Sequence, residues 1–149
     1  MHDPMSIVVC LPEELALFDP EPEETFKRDV RLVSQWEADT GGVVGWSTGG
    51  WDALSLAVAH PELPRPVIVS LPFEESRVAN LATVPAETLL LYGTADPLAG
   101  AAHGRHWQEH LPNARLEMVP AGTHELLVPM WARVLSHPAP RRTRKAKAA

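Results

Sequence analysis

The chain has 149 residues and a formal net charge of −6, and this length predicts a single domain with a core of its own. Five basic residues lie in the stretch 138–149, so the remainder carries a charge of −11. An acidic body does not favour nucleic-acid binding, and no apolar run is long enough to span a membrane. Cys10 is the only cysteine, which excludes an intrachain disulfide. Together with the lack of a signal-peptide pattern, this predicts a cytoplasmic protein. We predict one compact domain over 1–137 and a basic, disordered tail over 138–149.

Short apolar runs alternate with helical patterns along the chain. We predict strands at residues 6–11, 43–44, 66–71, 88–92 and 114–119. We predict helices at residues 24–40, 49–60, 101–111 and 125–137. The first of these helices is predicted from an apolar stripe at spacings of three and four that includes Val30 and Val33. The alternation predicts an α/β fold, with a mostly parallel five-stranded sheet and helices on both faces.

A glycine-rich turn follows the second predicted strand and reads Gly45-Trp46-Ser47-Thr48-Gly49. A serine with glycine two residues before and two residues after it, between a strand and a helix, is the pattern of a nucleophile elbow. Larger side chains at Gly45 and Gly49 would collide with neighbouring backbone. The N–H of Thr48 is then expected to point at the oxygen of a bound acyl group. The alternative is a glycine-rich loop that is kept only for packing.

An acid and a histidine follow the elbow, each just past a predicted strand. Asp96 lies in the loop after strand 88–92, and His124 lies in the loop after strand 114–119. Because the carboxyl ends of parallel strands meet at one edge of a sheet, we expect these two side chains and the serine to lie close together. The chain order of serine, acid and histidine is that of a hydrolase triad. Glu74, after the third strand, is an alternative acid, as is its neighbour Glu75.

These motifs resemble those of the α/β-hydrolase family. The resemblance rests on Gly-Trp-Ser-Thr-Gly-Gly at 45–50, Tyr-Gly-Thr-Ala-Asp-Pro-Leu at 92–98 and Ala-Gly-Thr-His-Glu at 121–125. It covers roughly residues 6–137, and the first motif is similar to that of the pimeloyl-carrier-protein methyl esterases. The resemblance implies a minimal α/β-hydrolase fold without a cap. It also implies a serine hydrolase that uses no metal and no organic cofactor.

Two parts of the family pattern are absent. Only residues 72–87 lie where family members insert a cap, which predicts a shallow, open pocket and small acyl groups. No His-Gly pair precedes the elbow to supply the second N–H of an oxyanion hole. We expect Leu11 to supply it beside Thr48, because Pro12 has no N–H. Family members also carry two strands where residues 6–40 are predicted to form one.

Two functions remain open. The favoured function is a hydrolase of small esters or thioesters, and the alternative is a catalytically weak remnant that binds a protein partner. Trp46 is predicted to lie either under the elbow or in the acyl pocket. His103, His106 and His110 share one helix face, where solvated histidines are more expected than a metal site. We expect a small-molecule substrate, no nucleic acid and no membrane, and we leave a homo-oligomer open.

Overall fold

The computed structural model describes residues 5–12, 30–63, 65–74 and 84–139, and these residues form one sheet flanked by helices. The six strands are β1 (Met5–Cys10), β2 (Val30–Val33), β3 (Thr40–Trp46), β4 (Val67–Val69), β5 (Thr88–Gly93) and β6 (Ala114–Val119). Their order across the sheet is β2-β1-β3-β4-β5-β6, and every neighbouring pair is parallel. All carboxyl ends therefore lie at one edge. The predicted fold class is confirmed, with one strand more than expected.

The additional strand, β2, lies inside the range 24–40 that was predicted to be a helix, and the described part of that prediction is wrong. β2 pairs in parallel with β1, with Met5 opposite Val30, so two strands precede β3. The spacing of the apolar residues fits a helix, but Val-Arg-Leu-Val is also a strand pattern. The pairing with β1 decides between the two, and that pairing is not local in sequence. Residues 24–29 lie outside the described part.

Among the described residues, three α-helices pack on the sheet: α1 (Gly50–Ala59), α2 (Ala101–His110) and α3 (Trp131–Ser136). α1 and α2 cover one face, where Trp51 and Trp107 meet edge to face with ring centroids 5.0 Å apart. α3 covers the other face through Trp131, Val134 and Leu135. The apolar side chains of β4 and β5 are buried between these layers, as expected for central parallel strands. Within the described ranges, no helix is long and apolar enough to cross a bilayer.

The last helix is shorter than the prediction of 125–137. Residues 127–130 form turns, and α3 begins only at Trp131. Pro129 accounts for the difference, because a proline lacks an N–H and disfavours the helical conformation in the residue before it. Leu126 and Leu127, which precede α3, are buried in the core without being helical.

The basic tail was predicted to begin at residue 138, which is too early. Pro138 and Ala139 are buried, and the N–H of Ala139 donates to the carbonyl oxygen of Leu135 at 2.9 Å. Ala139 belongs to the core on the α3 face. Residues 140–149 lie outside the described part, so the packed domain extends at least to residue 139.

Candidate active site

The chain turns sharply between β3 and α1, and Ser47 is the first residue of that turn. Its φ is 52°, in the left-handed region that residues other than glycine adopt only at an energetic cost. Gly49 packs on the end of β1, where an added Cβ would lie 2.3 Å from the carbonyl oxygen of Cys10. A Cβ added to Gly45 would lie 2.6 Å from the Cα of Gly50. Close backbone approach therefore requires both glycines of the elbow pattern.

Three polar side chains meet at the carboxyl edge of the sheet, after β3, β5 and β6. The Oγ of Ser47 lies 2.7 Å from Nε2 of His124, and Nδ1 of His124 lies 2.8 Å from Oδ2 of Asp96. The Asp96 side chain is fully buried, and that of His124 is 15% exposed. Glu74, an alternative acid, is exposed, and Glu75 lies outside the described residues. The structure thus brings together the three candidates that the sequence indicated.

The loop after β5 keeps the Asp96 carboxylate ionised. Its Oδ1 accepts hydrogen bonds from the N–H groups of Leu98 at 2.7 Å and Ala99 at 3.0 Å. Burial raises the pKa of this carboxyl, but hydrogen bonds from Ala99, His124 and Leu98 outweigh burial and lower the pKa below its usual value. An ionised carboxylate only accepts hydrogen bonds, so Nδ1 of His124 carries the proton. In the neutral imidazole with this tautomer, the lone pair of Nε2 faces the hydroxyl of Ser47.

Contacts between two loops hold the acid and the histidine close together. The N–H of Ala121 donates to Oγ1 of Thr94 at 2.7 Å, and the N–H of Ala95 donates to the carbonyl oxygen of Gly122 at 2.9 Å. A Cβ added to Gly93 would lie only 2.2 Å from that same carbonyl oxygen. The sequence analysis did not identify these residues as part of the site. The Gly-Thr pair that occurs in both loops was the available signal.

Trp46 lies against the histidine loop. Its Nε1–H donates to the backbone carbonyl oxygen of His124 at 2.9 Å, and the centroids of the two rings are 5.2 Å apart. Trp46 is only 8% exposed and belongs to the core on the α3 face. Of the two positions left open by the sequence, the structure favours the buried one over an acyl-pocket wall. The indole of Trp46 therefore helps to hold the backbone of His124 in place.

The N–H groups of Thr48 and Leu11 were expected to face a developing oxyanion. Thr48 lies in the turn itself. The register between β1 and β3 ends with Cys10 opposite Gly45, so Leu11 is the first residue beyond the paired strand. A Cβ added to Gly49 would lie 2.8 Å from the Cα of Leu11. The structure therefore places Leu11 beside the elbow, and the role of its N–H stays a prediction.

Each of the three histidines of α2 contacts Phe73. Nδ1 of His103 accepts a hydrogen bond from the N–H of Phe73 at 2.9 Å. The ring of Phe73 also stacks on His106 and lies tilted against His110, with centroids 4.9 Å apart in each case. No group of metal-ligating side chains occurs in the described part of the chain. These histidines anchor the chain after β4 to α2.

The sequence matches no family model, but the structure is similar to solved structures. One is MGS-MChE2, an alpha/beta hydrolase enzyme from the metagenome of lagoon sediments, with a TM-score of 0.70, 13% identity and coverage of 90% of this chain and 88% of that chain. A second is an esterase of Pyrococcus furiosus, with a TM-score of 0.68, 12% identity and coverage of 90% and 79%. A third is a predicted CIB-like hydrolase from Thermoplasma acidophilum, with a TM-score of 0.66, 15% identity and coverage of 87% and 83%. The chain has the α/β-hydrolase fold.

This finding confirms the fold that the sequence resemblance implied. Likeness at such low identity concerns the fold alone, because one fold hosts many chemistries. The similarity of the elbow motif to the pimeloyl-carrier-protein methyl esterases stays a prediction. The reaction of this α/β-hydrolase fold has to be argued from the geometry of its own side chains.

Proposed function

We propose that the protein is a serine hydrolase that cleaves small esters or thioesters. The observation that carries the proposal is the hydrogen-bonded chain from Ser47 through His124 to the buried, ionised Asp96. A serine within hydrogen-bond reach of a histidine, which a third group orients in turn, is the arrangement of an activated nucleophile.

In the first half of the reaction, Nε2 of His124 takes the hydroxyl proton of Ser47 while Oγ attacks the substrate carbonyl carbon. Asp96 stabilises the imidazolium that forms and stays ionised. The imidazolium then gives its proton to the leaving alcohol or thiol, and the acyl group remains on Ser47 as an ester. Trp46 holds the backbone of His124 and thereby limits the movement of the ring during both proton transfers.

The negative charge that develops on the carbonyl oxygen needs hydrogen-bond donors. The N–H of Thr48 is the first proposed donor, and the N–H of Leu11 is the second, supported by the packing of Gly49 on Leu11. Loss of one such donor costs about 10²–10³-fold in kcat in a subtilisin-type site. In the second half of the reaction, water donates a proton to His124 and hydrolyses the acyl-enzyme, which restores the free hydroxyl.

Turnover of p-nitrophenyl acetate and of an acetyl thioester tests the proposal. We expect turnover of both, and we expect intact mass spectrometry of enzyme quenched at early times to show one acetyl group, mapped to Ser47. The variant Ser47→Ala should show neither turnover nor adduct. If the wild-type protein hydrolyses neither compound and forms no adduct, the chain is better described as a hydrolase remnant that binds a protein partner.

A further inference from the structure

A cleft with a volume of about 810 Å³ lies on the α1 face of the sheet, next to β1. One wall is the outer face of α1, where Ser55, Leu56 and Ala59 lie on neighbouring turns. The opposite wall is the chain that follows β2 and includes Trp36. This volume falls within the range of small-molecule sites, roughly 300–1,000 Å³. The cleft is therefore large enough to hold a substrate group.

The cleft exists because the connection between β2 and β3 is short. Residues 34–39 return from the carboxyl end of β2 to the start of β3 without forming a helix. Parallel strands are usually joined through a helix that covers the sheet, and the described connection 34–39 supplies no such helix beside α1. Ser55 and Ala59 consequently stay exposed. Trp36 stacks on His60 with ring centroids 3.6 Å apart, and this contact fixes the wall opposite α1.

The cleft begins beside the candidate active site. Leu11 and Pro12 line it, and Gly49 of the elbow packs directly on the backbone of Leu11. From there the cleft follows α1 from Asp52 to Ala59, a separation of seven residues or about 10 Å along the helix. Leu11, whose N–H is the second proposed oxyanion donor, is thus shared between the candidate active site and the end of the cleft.

The strand order decides which half of the substrate faces the cleft. Ser47 follows β3 and His124 follows β6, whereas the cleft lies next to β1 on the opposite side of β3. In acyl transfer the histidine gives its proton to the leaving group, so the leaving group lies on the His124 side of Ser47. The acyl group then points away from His124 and toward β1.

We propose that the cleft binds the acyl chain of the substrate, and that this chain is unbranched, uncharged and of medium length. The inference rests on the proposed function and extends it to a substrate class. It revises the expectation of a shallow pocket, which considered only the missing cap. Among the described residues that line the cleft, Asp52 is the single charged side chain and most of the others are apolar. An acyl chain that ends in a carboxylate is therefore disfavoured.

A series of p-nitrophenyl esters from acetate to decanoate tests the proposal. We expect kcat/KM to rise by about threefold to fourfold per methylene group from butyrate to octanoate, which is the usual gain from burying a methylene. Beyond octanoate the gain should stop. The mono-p-nitrophenyl ester of adipic acid has the chain length of the hexanoate but ends in a carboxylate, and it should react at least about tenfold more slowly.

Two substitutions test how far the acyl chain of the substrate extends along α1. Ser55→Trp and Ala59→Trp each place an indole in the cleft, about 6 Å apart along α1. Ser55→Trp should shorten the preferred ester to butyrate, and Ala59→Trp should shorten it to hexanoate. Ala132→Trp makes the same change at an exposed position of α3 and should keep the wild-type profile. Circular dichroism confirms that each variant folds.

The wild-type profile alone is able to overturn the inference. If the enzyme is active but kcat/KM is highest at acetate or butyrate, the cleft does not bind the acyl chain. The same conclusion follows if both folded tryptophan variants keep the wild-type profile. A protein that hydrolyses no ester in the series, acetate included, contradicts the proposed function itself and removes the basis of the inference.

Discussion

Ser47 and Ser70 occupy equivalent places at the ends of two neighbouring strands. Ser47 follows β3 and Ser70 follows β4, with φ angles of 52° and 54°. Both residues are buried, at 8% and 0% exposure. Their hydroxyls differ: that of Ser47 lies 2.7 Å from Nε2 of His124, whereas that of Ser70 has no hydrogen-bond partner among the described residues. The same residue type with nearly the same φ therefore meets two different chemical environments.

This comparison separates backbone strain from reactivity. A left-handed non-glycine residue costs about 1–2 kcal/mol, and the sheet carries that cost at both strand ends. The loops after β5 and β6 are hydrogen-bonded to each other. Only at Ser47 do they bring an oriented imidazole to the serine hydroxyl. Strain at a strand end is thus a property of the fold, and the proposed activity comes from the partners of the strained serine.

The largest expected effect is the difference in kcat between the alanine variants of the two serines. Ser47→Ala should lower kcat for p-nitrophenyl acetate by on the order of 10⁶-fold, the loss that follows removal of a triad serine. Ser70→Ala makes the same change at the same φ and should keep kcat within about twofold. Steady-state kinetics on both purified variants measure this difference. A comparable loss in both variants would mean that the strand ends matter for folding and not for chemistry.

The next largest expected effect concerns Asp96, the carboxylate that orients His124 beside Ser47. Asp96→Asn leaves the shape nearly unchanged but permits the wrong imidazole tautomer, so kcat should fall by about 10⁴-fold. Asp39 is a matched control, because hydrogen bonding to Arg31 lowers the pKa of this exposed carboxyl as well. Asp39→Asn should leave kcat unchanged. Equal losses in the two variants would contradict a specific role for Asp96.

The sequence could predict those parts of the site that depend on short motifs. The elbow glycines, Asp96 and His124 each follow a recognisable strand, and parallel strands place their ends together. Strand 114–119 was predicted with the bounds observed for β6. In contrast, β2 was missed because its apolar spacing suits both a helix and a strand, and its partner lies more than twenty residues away. Only pairing in three dimensions resolves that ambiguity.

The loop contacts and the cleft could not be predicted for the same reason. The bond from Ala121 to Thr94 joins residues 27 positions apart, and no local pattern requires it. The cleft arises from the shortness of the connection 34–39, which the sequence analysis had assigned to a helix. Ser70 has a positive φ because of its place at the end of β4. No glycine at this position of the sequence indicated that conformation.

A smaller effect concerns the indole that supports His124. Trp46→Phe removes one hydrogen bond of about 1 kcal/mol, so kcat should fall by about fivefold to tenfold while KM stays within twofold. Trp107→Phe is the matched control, because its Nε1–H also donates to a backbone carbonyl oxygen, that of Leu71 at 2.9 Å. That variant should lower the melting temperature without lowering kcat. A fall in kcat for both variants would indicate general loosening of the core.

The smallest expected effect is on stability in acid. Because the pKa of Asp96 is lower in the folded protein than in the unfolded chain, its contribution is complete above the unfolded value of about 3.9. It is lost as the pH falls through that value toward the folded pKa. The difference in melting temperature between wild type and Asp96→Asn should therefore shrink from pH 6 to pH 3. Calorimetry measures it, and a difference that is constant with pH would contradict the assignment of an ionised Asp96.

Labelling with a fluorophosphonate tests the central claim most directly, because the probe reacts with an activated serine whatever the natural substrate is. Wild-type protein, Ser47→Ala and Ser70→Ala are treated with the probe, and peptide mapping locates the adduct. We expect one adduct on Ser47 in the wild type and in Ser70→Ala, and none in Ser47→Ala. Absence of labelling after hours at millimolar probe, or labelling that persists in Ser47→Ala, would contradict the claim that His124 and Asp96 activate Ser47.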